Sequence, residues 1–221
     1  MASADDDTSR SADAGLPRQM ARTAPSSYVG GMNAEHRCVC ASEEWRATVR
    51  DFIMPWVLAG LDLGDDVIEL GPGFGATTDV LRQRVAKLTV VEIDPGLAGD
   101  LAERLAGTNV DVIEGDATAL ALADRRFSAA TCFSMLHHVS SPALQDRLFA
   151  EARRVLRPGG ILAATDSLDR ADIRAFHQDD TFVPIDPTAL PDRLRNAGLT
   201  DIEVEQNEFA WKVAARRSMS H

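Results

Sequence analysis

Five short apolar runs, Val67–Leu70, Leu88–Ile93, Val110–Ile113, Ala129–Phe133 and Ile161–Thr165, alternate with stretches of helical periodicity, and this alternation restricts the fold more than any other feature. The runs are rich in β-branched residues and nearly continuous in apolarity, as strands buried on both faces are. Between them, Ala76–Ala86, Leu97–Leu105 and Pro142–Leu156 repeat apolar residues at helical spacing, with Val80, Leu81 and Val85 facing inward in the first. Strands that alternate with helices form a parallel sheet, because each parallel connection needs a crossover and a helix supplies it. The end of the chain differs. Thr188–Ala197 reads as a helix closed by Gly198, followed by strands Asp201–Glu205 and Glu208–Val213 with only Gln206-Asn207 between them. Two residues cannot make a parallel crossover, so this pair is an antiparallel hairpin.

The 221 residues suit one domain with a short extension. Residues 1–27 are rich in Ala, Ser, Asp and Arg, lack an apolar signal core, and read as a disordered tail. Residues 28–60 form a cap segment: Tyr28–Ala41 shows no clear periodicity, and a helix starts at Ser42 with Glu43 and Glu44 in its first turn. Trp45, Val49, Phe52, Ile53, Trp56 and Val57 share one face of that helix; Pro55 should kink it and Gly60 end it. Residues 61–221 hold the main domain, with an irregular insertion at about 167–187 that contains Pro184, Pro187, Asp179 and Asp180. Lys and Arg number 23 against 34 Asp and Glu, so the net charge of −11 argues against a nucleic-acid partner. No apolar run approaches the ~18 residues a membrane span needs. Three cysteines, Cys38, Cys40 and Cys132, make no disulfide framework, and a cytoplasmic location follows.

In such a sheet ligands sit beyond the carboxyl ends of the strands, beside the first one. Glu69-Leu70-Gly71-Pro72-Gly73-Phe74-Gly75 stands there, with glycines that let the backbone turn and approach a ligand closely. A dinucleotide fingerprint can be laid over Gly71, Gly73 and Ala76 with Glu92 as the ribose ligand. The fuller pattern is another. Val67–Gly75 resembles the first motif of class I S-adenosylmethionine-dependent methyltransferases, Val90-Val91-Glu92-Ile93-Asp94-Pro95 the second, and Val112-Ile113-Glu114-Gly115-Asp116-Ala117 the third. Phe133–Val139 is similar to the fourth, and Glu151–Gly160 to the segment before strand five. The order of the motifs and the closing hairpin agree with that family over about residues 43–213. The pattern from Met32-Asn33-x-x-His36 to Pro55-Trp56 resembles actinobacterial, and so bacterial, members.

The resemblance implies an α/β fold: a Rossmann-like, doubly wound, seven-stranded, mainly parallel sheet with one antiparallel strand. It implies S-adenosyl-L-methionine as cofactor, with S-adenosyl-L-homocysteine as product. The loop of Gly71, Pro72, Gly73 and Gly75 would wrap the methionine part, and Glu69 would help hold its ammonium. Glu92 would accept from the ribose hydroxyls, Ile93 would pack on the adenine, and Asp116 with Ala117 would meet its amine. Phe133 would border the sulfonium or the adenine.

For the acceptor, Phe133-Ser134-Met135-Leu136 replaces the Asn/Asp-Pro-Pro-Tyr tetrad of nucleobase and glutamine methyltransferases. The first three motifs are also similar to ribosomal RNA adenine dimethylases, a reading that the missing tetrad and the acidic charge oppose. Leu136-His137-His138-Val139 resembles the group that methylates small molecules on oxygen or carbon. A small apolar or aromatic acceptor is therefore expected, with no nucleic acid or membrane partner, in a monomer or homodimer. A catalytically silent cofactor-binding sensor or scaffold is the alternative. His137, His36, His177 and Asp166 are the candidate catalytic residues; His138 reads as structural. His36-x-Cys38-x-Cys40 is too tightly spaced for a tetrahedral zinc site, so no metal is expected.

Overall fold

A computed structural model describes residues 32–219; the tail at 1–27 and the start of the cap segment lie outside the described residues. Helix α1 (Ala34–Ala41) forms where no periodicity announces it, because Asn33 caps it by accepting the His36 N–H at 2.8 Å. Ser42 caps α2 (Glu43–Thr48) in the same way, accepting the Trp45 N–H at 3.1 Å. The helix then widens into a π-turn over Val49–Ile53, where the Met54 N–H reaches the Val49 carbonyl, before α3 (Met54–Val57). The kink expected at Pro55 thus falls one turn earlier. Pro55 has no N–H for the Asp51 carbonyl and its ring crowds it, so the widened turn absorbs the mismatch.

The main domain runs β1 (Asp66–Leu70), α4 (Ala76–Leu81), β2 (Lys87–Glu92), α5 (Pro95–Arg104), β3 (Val110–Glu114), β4 (Phe127–Phe133), α6 (Pro142–Val155) and β5 (Leu156–Ser167). It closes with α7 (Ala171–Phe176), α8 (Leu190–Asn196), β6 (Leu199–Gln206) and β7 (Ala210–Arg217). Helix α4 stops five residues short of the expected Ala86, because the Asn109 side chain takes the Arg82 and Val85 carbonyls at 2.9 and 2.8 Å. Helix α7 lies within the stretch expected to be irregular; six residues are too few to show a period. The hairpin is present with longer strands and a link of Asn207–Phe209, whose Asn207 side chain accepts the Phe209 and Ala210 N–H groups.

Among the described residues the seven strands form one sheet in the order β3-β2-β1-β4-β5-β7-β6. Strands β1 to β5 are mutually parallel, and β7 runs antiparallel to both β5 and β6. Side chains alternate between two cores. Ile68, Leu70 and Cys132 face Leu148, Phe149 and Val155 of α6 and Leu190 and Leu194 of α8. Val67, Val90 and Phe133 face Val49, Met54, Leu81 and Leu101 of the other layer. The strand order reverses between β1 and β4, so the loops after them diverge and leave a crevice at the carboxyl ends.

Candidate active site

That crevice is a cavity of about 290 Å³, at the lower end of the range of small-molecule sites. Its cofactor half is built by the turns after β1, β2 and β3. Gly71 takes φ +67°, and a Cβ there would lie 2.8 Å from the Met135 methyl, so only glycine lets β1 and the β4 turn approach this closely. The Glu92 carboxylate, 5 % exposed, accepts the Gly73 N–H on one oxygen and the Ile93 and Asp94 N–H groups on the other, each at 2.9 Å. Burial raises its pKa against these three stabilising bonds. Two oxygens offer about four acceptor sites, so capacity remains toward the cavity. Ile93, Asp116, Ala117 and Phe133 line the same half, and Asp116 accepts the Thr118 N–H at 2.8 Å.

Two expected cofactor residues lie off the cavity wall. Glu69 is 1 % exposed and turns away beneath the loop, where it accepts the Thr77 and Thr78 hydroxyls, the latter at 2.6 Å. Burial pushes its pKa up to about 7. In this arrangement it ties the loop to α4. Gly75 caps α4 at φ +78°, and a Cβ there would come within 2.6 Å of Leu101; it serves helix packing. Among the described residues no Lys or Arg lines the cavity. A buried carboxylate with acceptor capacity left beside an apolar slot, with no described cation for a phosphate, fits a phosphate-free nucleoside such as S-adenosylmethionine.

The other half is walled by Trp45, Ile53, Ile173 and Phe176 and ends in histidines. His137 sits in the turn after β4, and its Nδ1 lies 2.5 Å from the Asp166 carboxylate, which also accepts the His137 N–H at 2.9 Å. His177, one residue past α7, places Nδ1 2.7 Å from the Ile173 carbonyl and Nε2 3.1 Å from Nε2 of His137. His36 of α1 has Nδ1 2.8 Å from Asp180. Asn33 reinforces that link: its N–H donates to Asp180 and its amide donates to the Phe176 and Gln178 carbonyls at 3.0 Å. The cap segment is thereby strapped to the 176–180 turn. Burial lowers the pKa of His36, lowers that of His138 far, and takes His177 down to about 4.

Residues 68–164 match a family model described as a methyltransferase domain. That match covers 97 of the 221 residues, from β1 to β5, and likens this segment to methyltransferase domains. The chain's cofactor is S-adenosylmethionine. Among solved structures, an S-adenosylmethionine-dependent methyltransferase from Mesorhizobium loti superposes at TM-score 0.62 and 18% identity, over 74% of this chain and 96% of that one. A protein from Pyrococcus horikoshii superposes at TM-score 0.66 and 19% identity, over 80% and 92%. In sequence, the ribosomal RNA small subunit methyltransferase A of Aromatoleum aromaticum is 37% identical over 81 residues, 37% of this chain and 31% of that protein. The chain thus spans between about a fifth and a third of the length of the curated relatives it matches.

The fold brings His36, His137 and His177 together from three distant segments, of which only that of His137 lies within the matched residues. Asp166 differs from the expected base: it is 1 % exposed, lies within β5 and holds His137 from behind. His138, read as structural, lines the cavity, with its ring 4.1 Å from that of His137 and 5.0 Å from that of His36. Asp180 and Asn33 join the site without a sequence signal of their own: the Asp179-Asp180 pair reads as two loop acids, and only the fold turns Asp180 inward. Cys38 is exposed, so the tight His-Cys-Cys spacing does not converge on one point.

Proposed function

We propose that the protein transfers a methyl group from S-adenosylmethionine to a small, largely apolar or aromatic acceptor, on oxygen or carbon. The reading is carried by the continuity of the cavity. The nucleoside slot at Glu92 opens into an apolar chamber that ends on oriented histidines, and no described Lys or Arg lines either part. When bound, the cofactor supplies a methyl carbon already activated by a sulfonium. The protein's task is then alignment and exclusion of water, and alignment alone contributes about 7–11 kcal/mol.

For a hydroxyl acceptor, a base is needed if the group is protonated at working pH. The acceptor-only partner at Nδ1 of His137 requires Nδ1 to carry the ring proton, which leaves Nε2 as a lone pair. Nε2 would take the acceptor's hydroxyl proton, which is the one proton that methylation of a hydroxyl releases. Asp166 stabilises the resulting imidazolium. The partial likeness to ribosomal RNA methyltransferases is opposed by the −11 charge and by Phe133-Ser134-Met135-Leu136 at the fourth motif. The free cysteines suit a reducing cytoplasm, and among the described residues no helix is long and apolar enough to cross a membrane. Incubation with S-adenosylmethionine and a panel of phenols, quinones and sterol-like compounds should yield S-adenosylhomocysteine and a methylated product by mass spectrometry. Methylation of small-subunit ribosomal RNA with none of the panel would overturn the acceptor class.

A further inference from the structure

Four of the chain's five histidines meet at one end of the cavity, and their hydrogen bonds have a common sense. Nδ1 of His36 faces a carboxylate oxygen of Asp180, Nδ1 of His137 one of Asp166, Nδ1 of His177 the Ile173 carbonyl, and Nδ1 of His138 the Thr181 carbonyl at 3.3 Å. Such oxygens only accept, so each Nδ1 carries the proton and each Nε2 presents a lone pair. The Nε2 atoms of His137 and His177 are nevertheless 3.1 Å apart. Two lone pairs at that distance repel unless positive charge lies with them.

Charge balance leads to the same place. The Asp166 and Asp180 side chains are each 1 % exposed, and among the described residues their only ion-pair partners are His137 and His36. Two buried carboxylates beside neutral imidazoles leave an uncompensated charge of about −2, which a low-dielectric interior disfavours unless a cation balances it. One ring nitrogen from each of His36, His138 and His177 lies within 4.8 Å of the others, a span that one ion can close with modest side-chain movement.

We propose that His36, His138 and His177 bind a divalent transition-metal ion of the zinc class through their Nε2 atoms. Three imidazoles with carboxylate or carbonyl partners behind them are the donor set such an ion takes, and three protein ligands leave a coordination position open. Coordination uses the His177 lone pair and so ends its opposition to His137. The ion's two charges offset Asp166 and Asp180. Tight His-Cys spacing does not reveal this site, because its ligands come from α1, the turn after β4 and the end of α7. The assignment needs nothing from the acceptor reading. If that reading also holds, the open position would take a hydroxyl oxygen of the acceptor.

The test uses the full chain, stripped with a chelator and titrated with Co²⁺ and then Zn²⁺. We expect one ion per chain, visible Co²⁺ bands of low-coordinate nitrogen ligation, no sulfur-to-cobalt charge transfer in the near ultraviolet, and displacement by Zn²⁺. His177→Ala should abolish binding, Asp180→Asn should weaken it by about 10- to 100-fold, and Cys38→Ser should leave it unchanged, with circular dichroism confirming the fold of each. If the alanine variant does not fold, His177→Gln and Asp180→Asn carry the comparison. Absence of stoichiometric binding by the folded wild type would overturn the proposal and assign the His137–His177 contact to a shared proton. A sulfur charge-transfer band, or undiminished affinity in folded His177 and Asp180 variants, would also overturn it. These readouts do not involve methyl transfer, so failure here and failure of the proposed activity remain separate results.

Discussion

Replacing Glu92 by Gln separates the cofactor's ligand from the loop's own scaffold. The carboxylate accepts three backbone N–H groups at 2.9 Å, two on Oε1 and one on Oε2, while 5 % exposed. A glutamine keeps one oxygen, which can hold the Ile93 and Asp94 donors, and sets an NH₂ against the Gly73 N–H. One buried donor loses its acceptor, a cost of about 1–3 kcal/mol. At ~2–4 °C per kcal/mol for a domain of this size, Tm should fall by about 2–12 °C. The charged acceptor for the ribose hydroxyls is also lost, worth about 1.5–3 kcal/mol, which is roughly a 10- to 100-fold weaker Kd for S-adenosylhomocysteine. Isothermal titration calorimetry on the folded variant reads the second effect, and thermal unfolding without ligand reads the first. An unchanged Kd together with a lowered Tm would make Glu92 a purely structural acceptor and refute its place in the cofactor site.

Three further outcomes follow from the same geometry. Glu69 has a folded pKa of about 7 against an ordinary 4.5; the stability this gives is full below about pH 4.5 and is lost as pH rises through about 7, at most about 3 kcal/mol. Urea unfolding of Glu69→Gln against wild type should therefore show the wild type losing its relative advantage between those pH values; parallel pH profiles would contradict it. Asp166→Asn should lower kcat for a hydroxyl acceptor by roughly a hundredfold or more and alter the pH–rate profile, with KM little changed, because an amide can reverse the His137 tautomer. An unaltered profile would remove His137 as base. Gly75→Ala should cost at least about 1–2 kcal/mol from its left-handed backbone, before the contact with Leu101, as measured by denaturant midpoint.

The sheet was legible because its evidence is periodic. Apolar runs such as Val67–Leu70 are buried on both faces and bounded by glycines, and a two-residue gap forbids a parallel crossover. Elements held by tertiary bonds were not: α4 ends where Asn109 reaches across, and the π-turn before Pro55 answers a steric conflict that pattern cannot express. The site divides in the same way. Glu92, Ile93, Asp116, Ala117 and Phe133 lie at strand ends, where local order fixes their direction, and all five line the cavity. Glu69 does not, because the Thr77 and Thr78 hydroxyls draw its carboxylate under the loop. The histidine cluster depends on how α1 and the 167–187 stretch fold over the sheet. Its individual members could be nominated, but the inward turn of Asp180, the supporting place of Asp166 and the share of His138 needed the fold.

Isotope tracing follows the methyl group from cofactor to acceptor. The purified protein, given S-adenosylmethionine with a deuterated methyl group and a bacterial extract that retains its metabolites and RNA, should place the label in an apolar small molecule. S-adenosylhomocysteine should form in equal amount. Label in RNA would contradict the acceptor class, and binding of the cofactor with no labelled product in any fraction would contradict the activity itself.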